Sequence, residues 1–440
     1  MGKFYSDTLD EALRILYFQA DESRWPRGVE LLQTAVDAGE PDACYFLARC
    51  YAWEDGGVAE SVQKARTYSR EGILRGSDLC VLGADRFNGL TGDVQAAMKG
   101  TLEDAFHGAV RQAEAGDPMA QYAVALFYYW EDISALQRPA SQAEYDKNEK
   151  KNALEAIKWY RKAAEQGCIP AFRNHYACLA KGTNGAPHDE KAALRFVEDM
   201  KNKVDIPLHF YQEFAWKYQD MDQDKDALRW LEAGAAKDDR DCTNNLGEAY
   251  RRGLGVKEDD KKAFALYQKA EALGEPYGSY NLGQCYLNGW GTAEDEHAAI
   301  PYFQRSALAG VLDAVRMLAV CNYYGYGTPV DYNAAFTLAT EAMEKGSGGA
   351  IRLVGRCYLY GQGTPQNFAA ARQYLEPEAE AENDEALFLM GQMYDRALGV
   401  PEDVERAVAY YQKAVEEGSD EAEEALAHFK KSILGKWKRR

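Results

Sequence analysis

Apolar and polar residues alternate along this chain with the spacing of amphipathic helices, and the helical segments come in pairs. The segment "PYGSYNLGQCYLNG" at 276–289 places apolar or small residues three and four positions apart. A pair of glycines, Gly289 and Gly291, follows it. A second apolar stripe then runs through Ala299 and Phe303 towards Gly310. This pattern predicts two helices joined by a glycine turn.

The same pattern recurs every 36 residues. Five copies keep register without a gap: "NLGEAYRRGLGV" from 245, "NLGQCYLNGWGT" from 281, "MLAVCNYYGYGT" from 317, "LVGRCYLYGQGT" from 353 and "LMGQMYDRALGV" from 389. A fixed period of this size is typical of repeat architectures, in which each unit packs mainly on its neighbours.

Comparison of the copies assigns roles to single positions. Gly283 stands where the two helices must approach closely, and Asp295 stands where its side chain can cap the second helix. The capping column continues at Asp259, Asp331, Asn367 and Asp403, and closing glycines follow the second helix at Gly274, Gly310, Gly346 and Gly418. Cys285, Cys321 and Cys357 lie one period apart, so we interpret them as packing residues and not as metal ligands.

These residues resemble the Sel1-like repeat, a relative of the tetratricopeptide repeat, with its Leu-Gly-x-x-Tyr, Gly-x-Gly and Asp signature. The resemblance implies an all-α fold, a right-handed α-α superhelix or solenoid of about eleven helical hairpins. We expect an N-terminal capping hairpin at 1–39, divergent repeats at 40–238, five regular repeats at 239–418, and a capping helix with a basic tail at 419–440.

Several segments depart from the regular pattern. A polar insertion occupies 131–152, and the connection from residue 217 lacks glycines. Pro377 lies inside a second helix, which it should shorten or kink, and Glu382 replaces the closing glycine. The segment 419–434 reads as a final helix, and the basic "KWKRR" that follows 435 as its frayed end.

Composition excludes some classes of partner. The formal charge of −19 opposes binding to polynucleotides and anionic lipid, and no run approaches ~18 apolar residues. The N-terminus lacks a signal-peptide pattern, and the nine cysteines form no C-x-x-C pair, so we expect a reduced, cytoplasmic protein. "MGKFYS" matches a myristoylation pattern at Gly2. Capping segments at both ends favour a monomer.

Catalytic motifs are missing from the sequence. The six histidines fall in different units without an H-E-x-x-H pair, and neither a G-x-S-x-G elbow nor a phosphate-binding P-loop occurs. We therefore expect no enzymatic activity, no cofactor and no metal.

The candidate binding residues are those that vary between copies on the first helix of each pair, the helix that lines the concave side in related superhelices. They are rich in arginine and aromatic residues: Tyr45, Arg49, Trp53, Tyr122, Trp130, Tyr280, Gln284, Arg316, Tyr324, Arg352, Arg356 and Tyr360. Trp290 and Tyr326, each between two glycines, form a second candidate patch. Asp313 and Glu385 project near the same face, so ion pairs within the solenoid are the alternative use of these arginines.

The favoured hypothesis is a non-catalytic scaffold or adaptor that binds a protein, in particular an extended acidic peptide, in its concave groove. Arg316, Arg352 and Arg356 would orient the partner, and the aromatic residues would supply contact area. Two alternatives stay open: a bacterial effector or immunity partner, and an enzyme or small-ligand sensor whose site the solenoid encloses, with 131–152 as a lid.

Overall fold

The computed structural model describes residues 4–53, 56–84, 86, 92–130, 132–182, 187–431 and 437–439. Within these residues the chain forms 25 α-helices, one 3₁₀ turn and a two-stranded β-ribbon. Neighbouring helices pack against each other in pairs along the chain, which confirms the all-α helical-repeat prediction. The chain divides into two compact units, unit 1 up to Phe210 and unit 2 from Tyr211. That boundary falls inside the segment 40–238.

Unit 1 contains the less regular hairpins. Its helices are α1 (Asp7–Tyr17), α2 (Trp25–Asp37), α3 (Pro41–Trp53), α4 (Val62–Arg75), α5 (Asp78–Leu82), α6 (Gly92–Ala97), α7 (Leu102–Glu114), α8 (Pro118–Tyr129), α9 (Ser134–Gln137), α10 (Gln142–Glu165), α11 (Ile169–Lys181) and α12 (Glu190–Met200), with the 3₁₀ turn at Glu22–Arg24.

Unit 2 contains the regular repeats, and its boundary with unit 1 lies inside its first helix, whose first two residues, His209 and Phe210, belong to unit 1. Its elements are α13 (His209–Gln219), α14 (Asp224–Ala236), α15 (Arg240–Arg252), α16 (Asp260–Ala272), α17 (Pro276–Asn288), α18 (Glu296–Leu308), α19 (Leu312–Tyr324), α20 (Tyr332–Glu344), α21 (Gly348–Tyr360), α22 (Phe368–Glu380), α23 (Asp384–Asp395), α24 (Val404–Glu416), α25 (Asp420–Leu426), β1 (Phe429–Lys431) and β2 (Trp437–Arg439).

The helix ends follow the capping chemistry of the sequence. Asp295 accepts a hydrogen bond from the backbone N–H of Ala298 at 3.0 Å, and so satisfies one of the free donors of α18. The equivalent bond forms at each of the other predicted caps, Asp259, Asp331, Asn367 and Asp403. The closing glycines take left-handed backbone angles, as Gly310 does at φ 94°. These two predictions are confirmed.

Close approach of the paired helices explains the glycine in the first helix. A Cβ atom on Gly283 would lie 2.6 Å from Cε1 of Phe303, whose ring is fully buried between α17 and α18. One period later Ala319 replaces the glycine and Ala339 replaces the aromatic residue, so the two changes compensate each other. The predicted packing role of Cys285, Cys321 and Cys357 is also confirmed, because all three side chains are completely buried.

Two of the irregular segments contain helices. Residues 142–152 of the polar insertion are helical and form the first part of α10, a helix of 24 residues. The predicted shortening at Pro377 is wrong, since α22 runs for 13 residues like its neighbours. The proline side chain is exposed. Glu382 takes over the left-handed conformation of the closing glycine, with φ 61°.

The C-terminus is not the predicted helix 419–434. Helix α25 ends at Leu426, and β1 pairs antiparallel with β2, with Phe429 opposite Arg439. Phe429 is buried and its ring lies 6.1 Å from that of Tyr411. Burial of this ring against α24 favours the strand over a continued, highly charged helix. The tail predicted as a frayed helix end is therefore a strand at 437–439, while Lys436, Arg440 and the acylation candidate Gly2 lie outside the described residues.

Candidate functional site

The predicted binding residues gather on two separate surfaces, one in each unit. The first is the arginine–aromatic cavity of unit 1, which we define by Arg49, Trp53, Arg86, Tyr122, Trp130 and Arg173. The second is the tyrosine–arginine row of unit 2, which we define by Arg316, Tyr323, Tyr324, Arg352, Arg356 and Tyr360 on α19 and α21.

The arginine–aromatic cavity has a volume of about 390 Å³. Helices α3, α8 and α11 contribute residues to its wall, as do the segment after α1 and the segment before α13. The backbone N–H of Ala20 donates a hydrogen bond to Asp205 Oδ2 at 2.8 Å, which joins the first hairpin to the end of unit 1. This long-range contact closes one side of the wall.

Arg49 occupies the centre of the predicted aromatic set. Its side chain is buried at 7% exposure, and its guanidinium carbon lies 4.9 Å from the ring centre of Trp53 and 5.2 Å from that of Tyr122. The guanidinium also faces the ring of Tyr45 at 6.0 Å and donates from Nη2 to the Tyr122 hydroxyl at 3.3 Å. Cation–π contacts of this kind hold the charge in a partly apolar setting.

Arg86 brings a second guanidinium to the cavity. It forms an ion pair with Asp132 and donates from Nη2 to the backbone carbonyl of Leu126 at 2.9 Å. Its guanidinium carbon lies 5.7 Å from the ring centre of Trp130, which in turn meets Tyr129 edge-on. These two contacts fix the orientation of Trp130 at the cavity wall, and 58% of its surface stays exposed.

The sequence reasoning missed several cavity residues. Trp25, Arg86 and His209 also line it, but none belongs to the 36-residue pattern of the regular repeats. The indole Nε1 of Trp25 is buried and makes no hydrogen bond within the described part of the chain. The contact between Ala20 and Asp205 joins distant parts of unit 1 around this cavity, and local sequence patterns do not reveal such a contact.

The tyrosine–arginine row begins with an aromatic cluster around Arg356. Tyr323 and Tyr324 meet edge-on at 4.8 Å, and Tyr324 stacks on Tyr326 at 5.5 Å. The guanidinium carbon of Arg356 lies 5.9 Å from the Tyr324 ring centre. The Tyr360 hydroxyl donates a hydrogen bond to the side-chain oxygen of Gln392 in the next repeat.

Carboxylates of the chain itself pair with the arginines of the row. Glu385 lies 3.0 Å from Arg356 Nε and 3.5 Å from Arg352 Nε, and Glu378 lies 3.1 Å from Arg352 Nη1. Arg316 lies 3.6 Å from Asp313 in its own helix. The ion pairs that the sequence allows as an alternative thus form, and the role of these arginines in partner binding stays a prediction.

Burial decides the protonation states in this row. It raises the pKa of Tyr324 to about 12, although Arg356 opposes the rise. It acts to lower the pKa of Arg356, but Glu385 and the surrounding tyrosines more than offset it, and that pKa is raised. The tyrosines therefore stay neutral donors and the arginine stays a cation at physiological pH.

The remaining predicted residues make contacts within one repeat or between neighbouring repeats. Tyr280 accepts a hydrogen bond from Gln284 at 2.9 Å within α17. Trp290 lies under the guanidinium of Arg251, at 4.8 Å, in the preceding repeat. Two repeats later, the Tyr323 hydroxyl donates a hydrogen bond to Gln362. These two residues correspond in the repeat to Arg251 and Trp290. The residue between the two glycines is thus a contact to the preceding repeat, whereas Tyr326 stacks within its own.

The side chains that commonly bind metals are scattered along the described residues. Within them, no group of three or more His, Cys, Asp or Glu side chains is placed to hold a metal ion. His175 is buried, its ring nitrogen contacts the Ile157 carbonyl at 3.0 Å, and burial lowers its pKa to about 4. Among these residues, no helix has both the length and the apolar character to cross a membrane.

Comparison with solved structures supports the fold. A Sel1 repeat protein from Oxalobacter formigenes shares 22% identity at a TM-score of 0.55, over 80% of this chain and 93% of that one. The protein c5321, a protective antigen present in uropathogenic Escherichia coli strains and displaying an SLR fold, shares 20% identity at the same TM-score, over 90% and 89%. At such identities the likeness concerns the fold alone.

A family model matches the chain, whereas no curated protein matches it significantly. The family model described as "Sel1 repeat" matches more than half of the chain, at residues 41–77, 144–168, 241–275, 276–311, 312–347, 349–381 and 384–419. With these seven matches and the stacked helix pairs, the chain belongs to the Sel1 repeat family.

Proposed function

We propose that this chain is a non-catalytic scaffold that binds an extended, acidic segment of another protein along the tyrosine–arginine row. Sel1 repeats are generally protein–protein interaction modules, and proteins built from them are typically non-catalytic. What is particular to this chain is the chemistry of the row.

The observation that carries the proposal is the stacked pair of Tyr324 and Tyr326 beside Arg356. Their side chains are 41% and 38% exposed, whereas the neighbouring Tyr323 is buried in the repeat core. Aromatic and arginine side chains are the residues that contribute most binding energy at protein interfaces. Two stacked rings also present a rigid surface, so little side-chain entropy is lost when a partner binds.

The preference for an acidic segment follows from Glu385. This carboxylate lies within 3.5 Å of the guanidinium groups of both Arg352 and Arg356. The two guanidiniums therefore already accommodate one carboxylate, and a partner's carboxylate can share or replace it. Glu385 then acts as an internal competitor, which makes its removal an informative test.

The experiment selects ligands from a random peptide library displayed on phage, with the full chain immobilised. We expect enrichment of peptides with acidic residues, and titration calorimetry with one selected peptide then measures its affinity. Tyr324→Ala with Tyr326→Ala should weaken binding at least tenfold, and Arg356→Gln similarly, because interface anchors cost about 2 kcal/mol or more when truncated. Glu385→Gln should strengthen binding of the acidic peptide.

Leu308→Ala is the matched control, because this exposed apolar residue lies on a second helix away from the row. Unchanged affinity of the tyrosine double variant, or the same loss in the control, would overturn the proposal. Circular dichroism of each variant separates lost binding from lost folding.

We further propose that the scaffold works as a monomer in a reducing, cytoplasmic environment, and that nucleic acid and membrane surfaces are not its partners. All nine cysteines are buried, and none of them forms a disulfide bond within the described residues. Burial raises the pKa of the Cys321 thiol to about 11 and that of Cys285 to about 12, which keeps both in the unreactive thiol form. Sedimentation velocity with and without a duplex DNA probe tests the monomer and the nucleic-acid parts together.

The role of a bacterial effector or immunity partner uses the same surface, and nothing in the geometry favours it over a scaffold.

A further inference from the structure

We propose that the arginine–aromatic cavity of unit 1 is a second binding site, for a small molecule that combines a flat aromatic ring with an anionic group such as phosphate. This site lies in a different unit from the tyrosine–arginine row and does not depend on the proposed scaffold function. A cavity of this kind is what the alternative function of a small-ligand sensor requires.

The size of the cavity favours a small molecule over an extended chain. Its volume of about 390 Å³ falls at the lower end of the range of about 300–1,000 Å³ that is common for small-ligand sites. Contacts between distant parts of unit 1, including Ala20 with Asp205 and Arg49 with Tyr122, hold the wall in place without a ligand. A preformed wall lowers the entropy cost of binding.

Two tryptophans supply the surface for the aromatic ring. Trp53 and Trp130 line the cavity while 45% and 58% of their surfaces remain exposed. Each is fixed by a neighbouring guanidinium, Trp53 by Arg49 at 4.9 Å and Trp130 by Arg86 at 5.7 Å. A flat ring can stack on an exposed indole, as bases do on aromatic platforms.

Arginine side chains supply the charge that an anionic group needs. Three arginines line the cavity together with one carboxylate, that of Glu22, and of these arginines Arg86 is already paired with Asp132. Arg173 on α11 is exposed, and no carboxylate of the described residues forms an ion pair with it. The Nε–H of Arg86 is buried and makes no hydrogen bond within the same residues, as is true of the Trp25 indole N–H. The exposed guanidinium of Arg173 can donate hydrogen bonds to phosphate oxygens.

The test uses titration calorimetry of the full chain with adenosine 5′-monophosphate and phenyl phosphate as probes. Adenosine and inorganic phosphate, which carry the ring or the anion alone, are the comparison ligands. We expect at least one of the two probes to bind about tenfold or more tightly than either comparison ligand, because both halves of the cavity are then used. If neither probe binds more tightly than inorganic phosphate, the proposal is overturned.

Variants locate the site. Arg173→Gln and Trp130→Ala should each weaken binding of the probe about tenfold, since each removes one charge-assisted or stacking contact. Arg195→Gln is the matched control, because Arg195 is an exposed arginine of the same unit with only a distant partner, Asp189 at 4.0 Å. Equal affinity of all three variants would overturn the proposal, and thermal melting checks that each is folded.

A further arm distinguishes a free molecule from a protein side chain with the same chemistry. A short peptide with one phosphotyrosine carries the same aryl phosphate. Binding of this peptide more than about tenfold tighter than phenyl phosphate would overturn the assignment to a small molecule. The variant Tyr324→Ala with Tyr326→Ala should bind the probe normally, so failure at this cavity and failure at the row are separable.

Discussion

The Nε atom of Arg356 in α21 lies 3.0 Å from Oε1 of Glu385 in α23, so an ion pair joins the first helices of two successive repeats. Arg352 approaches the same carboxylate at 3.5 Å. The Arg356 side chain is only 12% exposed to solvent, whereas the Glu385 side chain is 31% exposed. Glu385 thus pairs with two cations at a boundary between repeats, and Arg352 has a second, closer partner in Glu378 at 3.1 Å.

Glu385→Gln should lower the free energy of unfolding by about 1–2 kcal/mol, because it leaves two guanidiniums close together in a half-buried place. Urea-induced unfolding followed by circular dichroism measures the change. Glu341→Gln removes an exposed pair with Lys345 and should change stability by less than about 0.5 kcal/mol. Equal effects of the two substitutions would show that the Glu385 pair adds nothing beyond a surface pair.

Gly283→Ala should destabilise the chain by about 1–2 kcal/mol. The new Cβ atom would lie 2.6 Å from the buried Phe303 ring, and overpacking outweighs the gain of about 1 kcal/mol in helix propensity. Gly348→Ala is the control, because its backbone is helical and no atom lies within 4 Å of the place that its new methyl group would occupy. Urea midpoints of both variants check this, and a neutral Gly283→Ala would refute the close-approach argument.

The stability of the repeat at Glu275 should fall as pH rises from about 5 to 8. Burial, with the adjacent Asp241 carboxyl, raises the pKa of Glu275 from 4.5 to about 7, while Arg240 opposes the rise. Because the folded pKa lies above the unfolded value, the contribution is fully present below pH 4.5 and is lost as pH rises through 7. Glu275→Gln should remove about 1–2 kcal/mol of this pH dependence. Urea midpoints at four pH values test it, and parallel curves for the variant and the parent chain would contradict it.

Phe429→Ala should release the C-terminal β-ribbon from α24. The ring is buried at 4% exposure, and truncation of a buried phenylalanine costs about 3–5 kcal/mol. We expect amide hydrogen exchange in α24 and β1 to quicken by at least about tenfold. Lys430→Ala changes an exposed residue of the same strand and should leave exchange unaltered. Slow exchange in the Phe429 variant would mean that the ribbon does not protect the last repeat.

Most of the fold of unit 2 is predictable because its determinants are local and repeated. The caps at Asp295 and its equivalents act over three residues, and the left-handed closing positions depend on single residues. The exceptions have a local cause as well: Glu382 shows that the turn geometry tolerates a side chain when glycine is absent. The ribbon at Phe429 was not predictable, since the choice between helix and strand there depends on contact with Tyr411.

The candidate sites were predictable only in part. The spacing of Arg352 and Arg356 indicates that both lie on one helix face, but not that Glu385 lies between them. In unit 1, three predicted aromatic residues gather around Arg49, while Arg86 joins the cavity without any repeat signal. A pair such as Ala20 and Asp205 is 185 positions apart, beyond the reach of any periodic pattern.

The helical repeat, its caps, its turns and the close approach of the paired helices at glycine follow from the sequence alone, because each of these depends on groups within one period of about 36 residues. Contacts between distant side chains determine which arginines are neutralised by the chain's own acids, and where unit 1 forms a cavity. Those outcomes depend on distances between side chains of different repeats, such as Arg356 and Glu385, which the local pattern leaves undetermined.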